Sequence, residues 1–193
     1  MLVKYVVGLG NPGKQYARTR HNLGWMVLDL LAERLGIRDW RRRWSGLVAA
    51  AGEWTLLLPT TYMNESGRSV AALIADTGTG LDDVLIVLDD LNLPLGSLRM
   101  RRGGSSGGHH GLESIASWLG TEGFPRLRVG IGPCPPHAEP REFVLSPFAP
   151  AEDALMAKTV QRAADSLLCW HLEGAQAAMD RYNGPVEAPR EGP

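Results

Sequence analysis

Two cysteines in 193 residues, Cys134 and Cys169, stand far apart with no C-x-x-C pair. That scarcity excludes a disulfide-stapled scaffold and a zinc ribbon, and it favours a reducing compartment. No run approaches the roughly 18 apolar residues that a membrane span requires. The opening Met1-Leu2-Val3-Lys4-Tyr5-Val6-Val7-Gly8 lacks the apolar core and small-residue cleavage site of a signal peptide. A cytoplasmic protein without a membrane partner is expected. No internal repeat and no linker divides the chain, so one domain is expected over residues 1–183, with a flexible proline-bearing tail at 184–193. Nothing demands a second subunit, and a monomer is expected.

Charge of one sign is also missing: 20 Lys+Arg stand against 21 Asp+Glu, a net charge of −1. The total hides a gradient. Residues 1–60 hold nine basic and four acidic side chains, residues 61–130 six and eight, and residues 131–193 five and nine. Basic side chains cluster in Arg38-Asp39-Trp40-Arg41-Arg42-Arg43-Trp44 and in Arg99-Met100-Arg101-Arg102, so the near-neutral sum leaves room for a local phosphate-binding face. For the two tryptophans, a partly packed loop with a charged outer face is favoured over base stacking.

Apolar runs of two periods alternate along the chain. Val3 to Gly8 reads as a buried strand ended by a glycine-rich loop. Leu23, Met26, Val27, Leu30, Leu31 and Leu35 fall at helical spacing, with Gly36 as the stop. Gly46–Ala51 and Trp54–Leu58 flank Gly52-Glu53 as a hairpin. Asn64 is expected to cap a helix carrying Val70, Leu73 and Ile74. Val84–Leu88 is a continuous hydrophobic strand ending at Asp89-Asp90, of the kind buried on both faces. Ser97–Arg102 alternates like an edge strand, a glycine loop leads into a helix from His109, and Leu127–Ile131 is another strand. Two helices are expected at 151–169 and 171–182. The pattern predicts an α/β domain with a mixed, mostly parallel sheet sandwiched between helices.

Two motifs suggest other chemistries. Gly8-Leu9-Gly10-Asn11-Pro12-Gly13 matches G-x-G-x-x-G after a strand, but no helix starts inside it and no acid ends a second strand about 20 residues on, so no nucleotide cofactor is expected. Gly104-Ser105-Ser106-Gly107-Gly108 matches the G-x-S-x-G elbow, with His171 as a conceivable partner. The charged segment before it is unlike the buried strand an elbow needs. His21, His109, His110, Asp89 and Asp90 are metal-ligand types without the i, i+4 spacing of H-E-x-x-H, and no metal is expected.

What remains is a set of polar residues at junctions. Asn11 and Asp89 follow apolar strands, and ligands gather at such carboxyl ends in open α/β sheets. His21, Asn64 and His110 stand where helices begin. A histidine paired with a carboxylate, with no nucleophile beside it, suits activation of water, and side-chain amides of Asn11 and Asn64 suit a developing oxyanion.

Several blocks together resemble the bacterial-type peptidyl-tRNA hydrolase family. They are Val7-Gly8-Leu9-Gly10-Asn11-Pro12-Gly13 with Tyr16 and Thr19-Arg20-His21-Asn22; Pro59-Thr60-Thr61-Tyr62-Met63-Asn64 with Ser66-Gly67; Asp89-Asp90-Leu91 with Leu93-Pro94 and Gly96; Gly107-Gly108-His109 with Gly111-Leu112; and Arg126-Leu127-Arg128-Val129-Gly130-Ile131-Gly132. The resemblance implies hydrolysis of the ester between a peptide and the 3′ end of tRNA, without metal or cofactor. It implies His21 as general base, Asp89 as the group that holds it, and Asn11 at the point that separates blocked from unblocked aminoacyl-tRNA. It places Tyr16, Tyr62, Met63, Asn64, His109 and His110 on the substrate side, and Arg99, Arg101 and Arg128 against tRNA. Where the family usually carries His-Asn-Gly this chain has His109-His110-Gly111, and an imidazole does not reproduce an amide's paired donor and acceptor. A catalytically silent RNA-binding relative of the same fold is the alternative.

Overall fold

The first apolar run forms strand β1 (Lys4–Gly8), and the helical period after His21 forms α1 (Leu23–Arg34), entered through a 3-10 turn at Arg20–Asn22. The computed structural model describes residues 3–186. It continues with β2 (Arg41–Arg43), β3 (Gly46–Ala51), β4 (Trp54–Pro59), α2 (Ser66–Thr77), β5 (Val84–Pro94), β6 (Ser97–Arg101) and α3 (His110–Leu119), then β7 (Arg126–Gly132), α4 (Pro140–Val144), α5 (Asp153–Glu173), α6 (Ala175–Tyr182) and β8 (Gly184–Pro185). The strands form one sheet in the order β2-β3-β4-β1-β5-β7-β6-β8. Its central strands β4, β1, β5 and β7 are parallel, and both flanks are antiparallel. This is the single-domain α/β fold with a mixed sheet between helices that the alternating periods predict.

The sheet is buried on both faces because its central strands are apolar at odd and even positions alike. On one face Val6, Leu56, Leu85, Val87 and Val129 pack with Leu28 and Leu31 of α1 and Ala163 and Leu167 of α5. On the other, Val7, Leu57, Ile86 and Leu88 pack with Val70 and Leu73 of α2 and Leu112 and Ile115 of α3. Each such leucine or isoleucine contributes about 1.5–3 kcal/mol on burial.

One close approach decides where the site forms. A Cβ on Gly8 would lie 2.5 Å from the Gly24 carbonyl oxygen, and a Cβ on Gly24 would lie 2.5 Å from Leu9 N and the Val87 carbonyl oxygen. Two glycines therefore let the first turn of α1 rest directly on the ends of β1 and β5, which sets His21, two residues before that turn, beside the end of β5.

Several expectations are corrected. β5 does not stop at Leu88 but runs through Asp89-Asp90 to Pro94, eleven residues, pairing with β7 across an irregularity. Asn64 caps nothing: it lies exposed within a 3-10 turn, Met63–Glu65, and α2 starts only at Ser66, whose hydroxyl donates to the Met63 carbonyl at 2.8 Å. Arg41–Arg43 is an edge strand and not a loop. β6 is not the outermost strand. The Asn183 side chain accepts from Met100 N at 2.6 Å and donates to the Met100 carbonyl at 3.2 Å, imitating a strand residue, and Gly184–Pro185 then pairs with β6. The sheet thus continues past residue 183, and the rest of the expected tail, 187–193, lies outside the described residues. The two C-terminal helices divide at Gly174, with φ +89°, so His171 belongs to the longer one.

Candidate active site

A cleft of about 760 Å³ opens at the carboxyl ends of β1 and β5. Of the twelve expected site residues, ten line it: Asn11, Tyr16, His21, Tyr62, Met63, Asn64, Asp89, His109, His110 and Arg128. Arg99 and Arg101 lie outside it, exposed on β6.

Asp89 is the hub. It is 1 % exposed and its Oδ1 accepts from two imidazoles, His21 Nδ1 at 2.9 Å and His109 Nε2 at 3.2 Å. Burial alone would raise the carboxyl pKa, but the two histidines outweigh it and hold the group well below the usual carboxylate range. The tautomers follow from the partners. Gly111 N–H donates to His109 Nδ1 at 3.1 Å, so the His109 proton sits on Nε2. His21 points Nδ1 at Asp89, which fixes the Nδ1–H tautomer of the neutral ring and makes Nε2 the nitrogen that faces the cleft. Burial, offset in part by Asp89, lowers the His109 pKa below 6.5, and the ring is neutral at pH 7. Gly107 and Gly108, with φ +62° and +81°, deliver His109 to this position. Gly111 leaves room for the neighbouring side chains, since a Cβ there would meet Met63 Sδ at 2.7 Å and force it to shift.

Asn11 is set by its neighbours. Asn22, fully buried, brackets its backbone: Asn11 N–H donates to Asn22 Oδ1 at 2.9 Å, and Asn22 Nδ2 donates to the Asn11 carbonyl at 3.0 Å. Asn11 Oδ1 accepts from Met63 N–H at 2.8 Å. The carboxamide oxygen is thus occupied, and the Nδ2 donor has no partner among the described residues. The G-x-G-x-x-G segment is a turn that fixes this asparagine, with α1 beginning ten residues after Gly13.

Arg128, expected against tRNA, is buried. It is 9 % exposed, donates to Asp90 Oδ2 at 3.0 Å and to the carbonyls of Ser105 and Ser106 at 2.6 and 3.0 Å, and reaches the cleft from below the glycine loop. Beside it Arg126, 1 % exposed, is caged by the carbonyls of Gly104, Glu122 and Phe124, with no ion-paired carboxylate among the described residues. Burial and the Arg128 charge lower its pKa to about 10, which still leaves it charged. Register places Arg99 opposite Arg128 and Arg101 opposite Arg126, so four arginines share one sheet face. The Ser106 hydroxyl meets Glu113 at 3.3 Å and no histidine, which removes the elbow reading, and His171 lies against Trp54 instead.

Two features escape sequence reasoning. Glu139, Pro140, Arg141, Val144 and Leu145, in and around α4, form one wall of the cleft. This segment is fastened by Arg20, whose guanidinium donates to Glu152 at 2.6 Å and lies over the rings of Phe143 and Phe148 at 4.5 and 4.7 Å. Arg20 adjoins His21, so the residue that holds the wall sits next to the expected base. The aromatic pair 143 and 148 was the available signal, but nothing local says which cation it meets.

His21, Asp89 and His109 also bring one ligand atom each within 4.8 Å of one another, a spacing at which a cation is chemically possible. Their separations of 2.9 and 3.2 Å are hydrogen-bond lengths, satisfied by the imidazole protons.

The sequence matches the family model described as peptidyl-tRNA hydrolase over residues 5–190. A peptidyl-tRNA hydrolase of Symbiobacterium thermophilum is 46 % identical over 188 residues, covering 94 % of this chain and 100 % of that protein. One of Mycobacterium tuberculosis is 43 % identical over 183 residues, 92 % of this chain and 96 % of the relative. A crystal structure of peptidyl-tRNA hydrolase from Acinetobacter baumannii superposes with a TM-score of 0.87 at 32 % identity, covering 94 % of this chain and 96 % of that one.

Proposed function

This chain belongs to the peptidyl-tRNA hydrolase family, acting on the ester bond of peptidyl-tRNA, and from that membership we propose how its cleft performs the hydrolysis. His21 Nε2 takes a proton from water as the oxygen attacks the ester carbonyl. Asp89, held ionised, stabilises the imidazolium that forms. Asn11 Nδ2 donates to the carbonyl oxygen as it gains negative charge. When the carbon–oxygen bond to the tRNA ribose breaks, the imidazolium returns the proton to the departing 3′ oxygen, leaving a free peptide carboxyl and tRNA. The observation that carries this reading is the His21 Nδ1 to Asp89 hydrogen bond of 2.9 Å, because it fixes which ring nitrogen is basic.

His109, bound to the same carboxylate, orients Asp89 and keeps its second lone pair occupied. Tyr16, Tyr62, Met63, Asn64 and His110 line the binding space, and Arg99, Arg101 and, from beneath them, the buried Arg128 supply positive charge for the tRNA backbone. The protein works as a cytoplasmic monomer, without metal or nucleotide cofactor. Among the described residues no helix is long and apolar enough to cross a membrane.

The test is hydrolysis of one N-acetyl-aminoacyl-tRNA beside its unblocked form, in excess chelator. Cleavage of the blocked ester with the unblocked one largely spared is expected. Loss of activity with chelator, restored by a divalent ion, would assign a cation to His21, Asp89 and His109. tRNA binding without turnover under every condition would establish the RNA-binding relative instead. For the basic strand, Arg99→Ala with Arg101→Ala should weaken tRNA binding and lower the slope of log affinity against log salt by about 1.5–2. An unchanged slope removes both from the phosphate contacts.

A further inference from the structure

Four large apolar side chains stand exposed among the described residues, and two of them, Tyr62 at 58 % and Trp118 at 59 %, flank the same end of the cleft. A second, shallower groove there is lined by Asn64, His110, Glu113, Ser114, Ser117 and Trp118. Asn64 and His110 belong to both depressions, so the groove continues the cleft. Residues 110, 113, 114, 117 and 118 follow the i, i+3, i+4, i+7, i+8 pattern of a single helix face. The groove is therefore a lane along α3 that leaves the cleft at His110 and ends at Trp118.

Trp118 is a fixed platform. A Cβ on Gly67 of α2 would lie 2.6 Å from Trp118 Cδ1 and 2.3 Å from the Ser114 carbonyl oxygen, so the indole rests against bare backbone. Gly67 N–H donates to Ser114 Oγ at 3.0 Å, which ties the two helices together. Across eight residues an α-helix rises about 12 Å, a distance an extended chain covers in about three to four residues. The ionisable side chains of the lane are His110 and the acid Glu113, whereas the arginines lie on the face of β6 and β7. With no arginine or lysine among its lining residues the lane suits a phosphate backbone poorly, and a peptide with N–H and C=O groups is matched by carboxylate, hydroxyl and amide.

We propose that this lane holds the peptide upstream of the ester, with Trp118 packing against the side chain three or four residues before the scissile carbonyl. The proposal rests on the cleft being the hydrolytic site. It makes Trp118 a specificity-determining residue that an N-acetyl-aminoacyl group is too short to reach and a longer peptide is not.

The experiment compares kcat/KM for N-acetyl-aminoacyl-tRNA with that for a pentapeptidyl-tRNA of the same tRNA and terminal residue, carrying phenylalanine fourth from the ester. Trp118→Ala should lower the long-to-short ratio about five- to tenfold, the usual contribution of one aromatic packing contact, and replacing the peptide's phenylalanine by glycine in the wild type should lower it similarly. Trp118→Phe should restore most of the ratio, and melting temperatures report whether either variant is misfolded. A ratio within twofold of wild type in Trp118→Ala overturns the proposal. So does an equal loss on both substrates, with weaker binding of deacylated tRNA, which would give the ring to a nucleotide base. If the wild type cleaves neither substrate, the hydrolytic reading itself fails, and that outcome is separate from an unaltered ratio.

Discussion

The sheet carries a histidine beside a carboxylate at both of its ends, and the two pairs behave differently. At the carboxyl end His21 and Asp89 are 2.9 Å apart, the acid is 1 % exposed, and the imidazole looks into the cleft. At the opposite end His171 and Glu53 are 3.6 Å apart, too far for a hydrogen bond, and the imidazole is stacked on Trp54 at 4.0 Å and 15°. His171 Nδ1 is buried without a partner among the described residues, and burial, offset in part by Glu53, lowers the pKa of the ring. Proximity of the two residue types is thus not the catalytic feature. A fixed tautomer, a free second nitrogen and space for substrate separate the base from a core ring.

Breaking each pair should show the difference. His21→Ala is expected to reduce kcat by about 10²–10⁴-fold with the melting temperature nearly kept, whereas His171→Ala should leave kcat within about twofold and lower the melting temperature. Normal turnover in His21→Ala would reject the assigned base. Asp89→Asn should cost about 10² or more in kcat, because an amide no longer selects the Nδ1–H tautomer, and Glu53→Gln should leave turnover near wild type. A loss of comparable size in both variants would erase the distinction.

The smallest effect concerns pH. His109 and His171 both have folded pKa values lowered below 6.5, so the unfolded chain binds protons more readily and stability is lost as pH falls from about 6.5. Asp89, also lowered, adds a further loss below about pH 3.8. His171→Phe keeps the stacked ring and removes one of these titrations. Its melting temperature should fall about 2–4 °C less than that of the wild type between pH 7 and pH 5. Parallel curves for the two proteins would show that His171 does not contribute.

The sequence told these two histidines apart only in part. His21 was legible because it stands between a polar loop and a helical period, and Asp89 because it follows the most apolar strand; both cues are local. That one carboxylate serves His21 and His109 together was not legible, since 20 residues separate His109 from Asp89 and only the glycine pair at 107 and 108 turns the ring inward. The expected cap at Asn64 failed because the chain makes a 3-10 turn before α2, a choice of a few backbone angles that capping preferences do not decide. The burial of Arg128 was not legible, because no pattern shows that loop carbonyls over 20 residues away will accept from its guanidinium. The wall around α4 depends on Arg20 meeting Glu152, 132 positions later.

Arg126 carries a consequence for how the protein meets a polyanion. Its charge is surrounded by peptide dipoles and an aromatic ring, with no carboxylate at ion-pair distance among the described residues and Glu122 acting on it only from farther off. Mobile ions that shield the solvent-exposed Arg99 and Arg101 do not reach it. Below the sheet surface there is thus a positive charge whose field added salt weakens less than that of the exposed arginines. In a chain whose formal charge sums to −1, that stationary cation lets one patch hold its sign when the exposed arginines are masked.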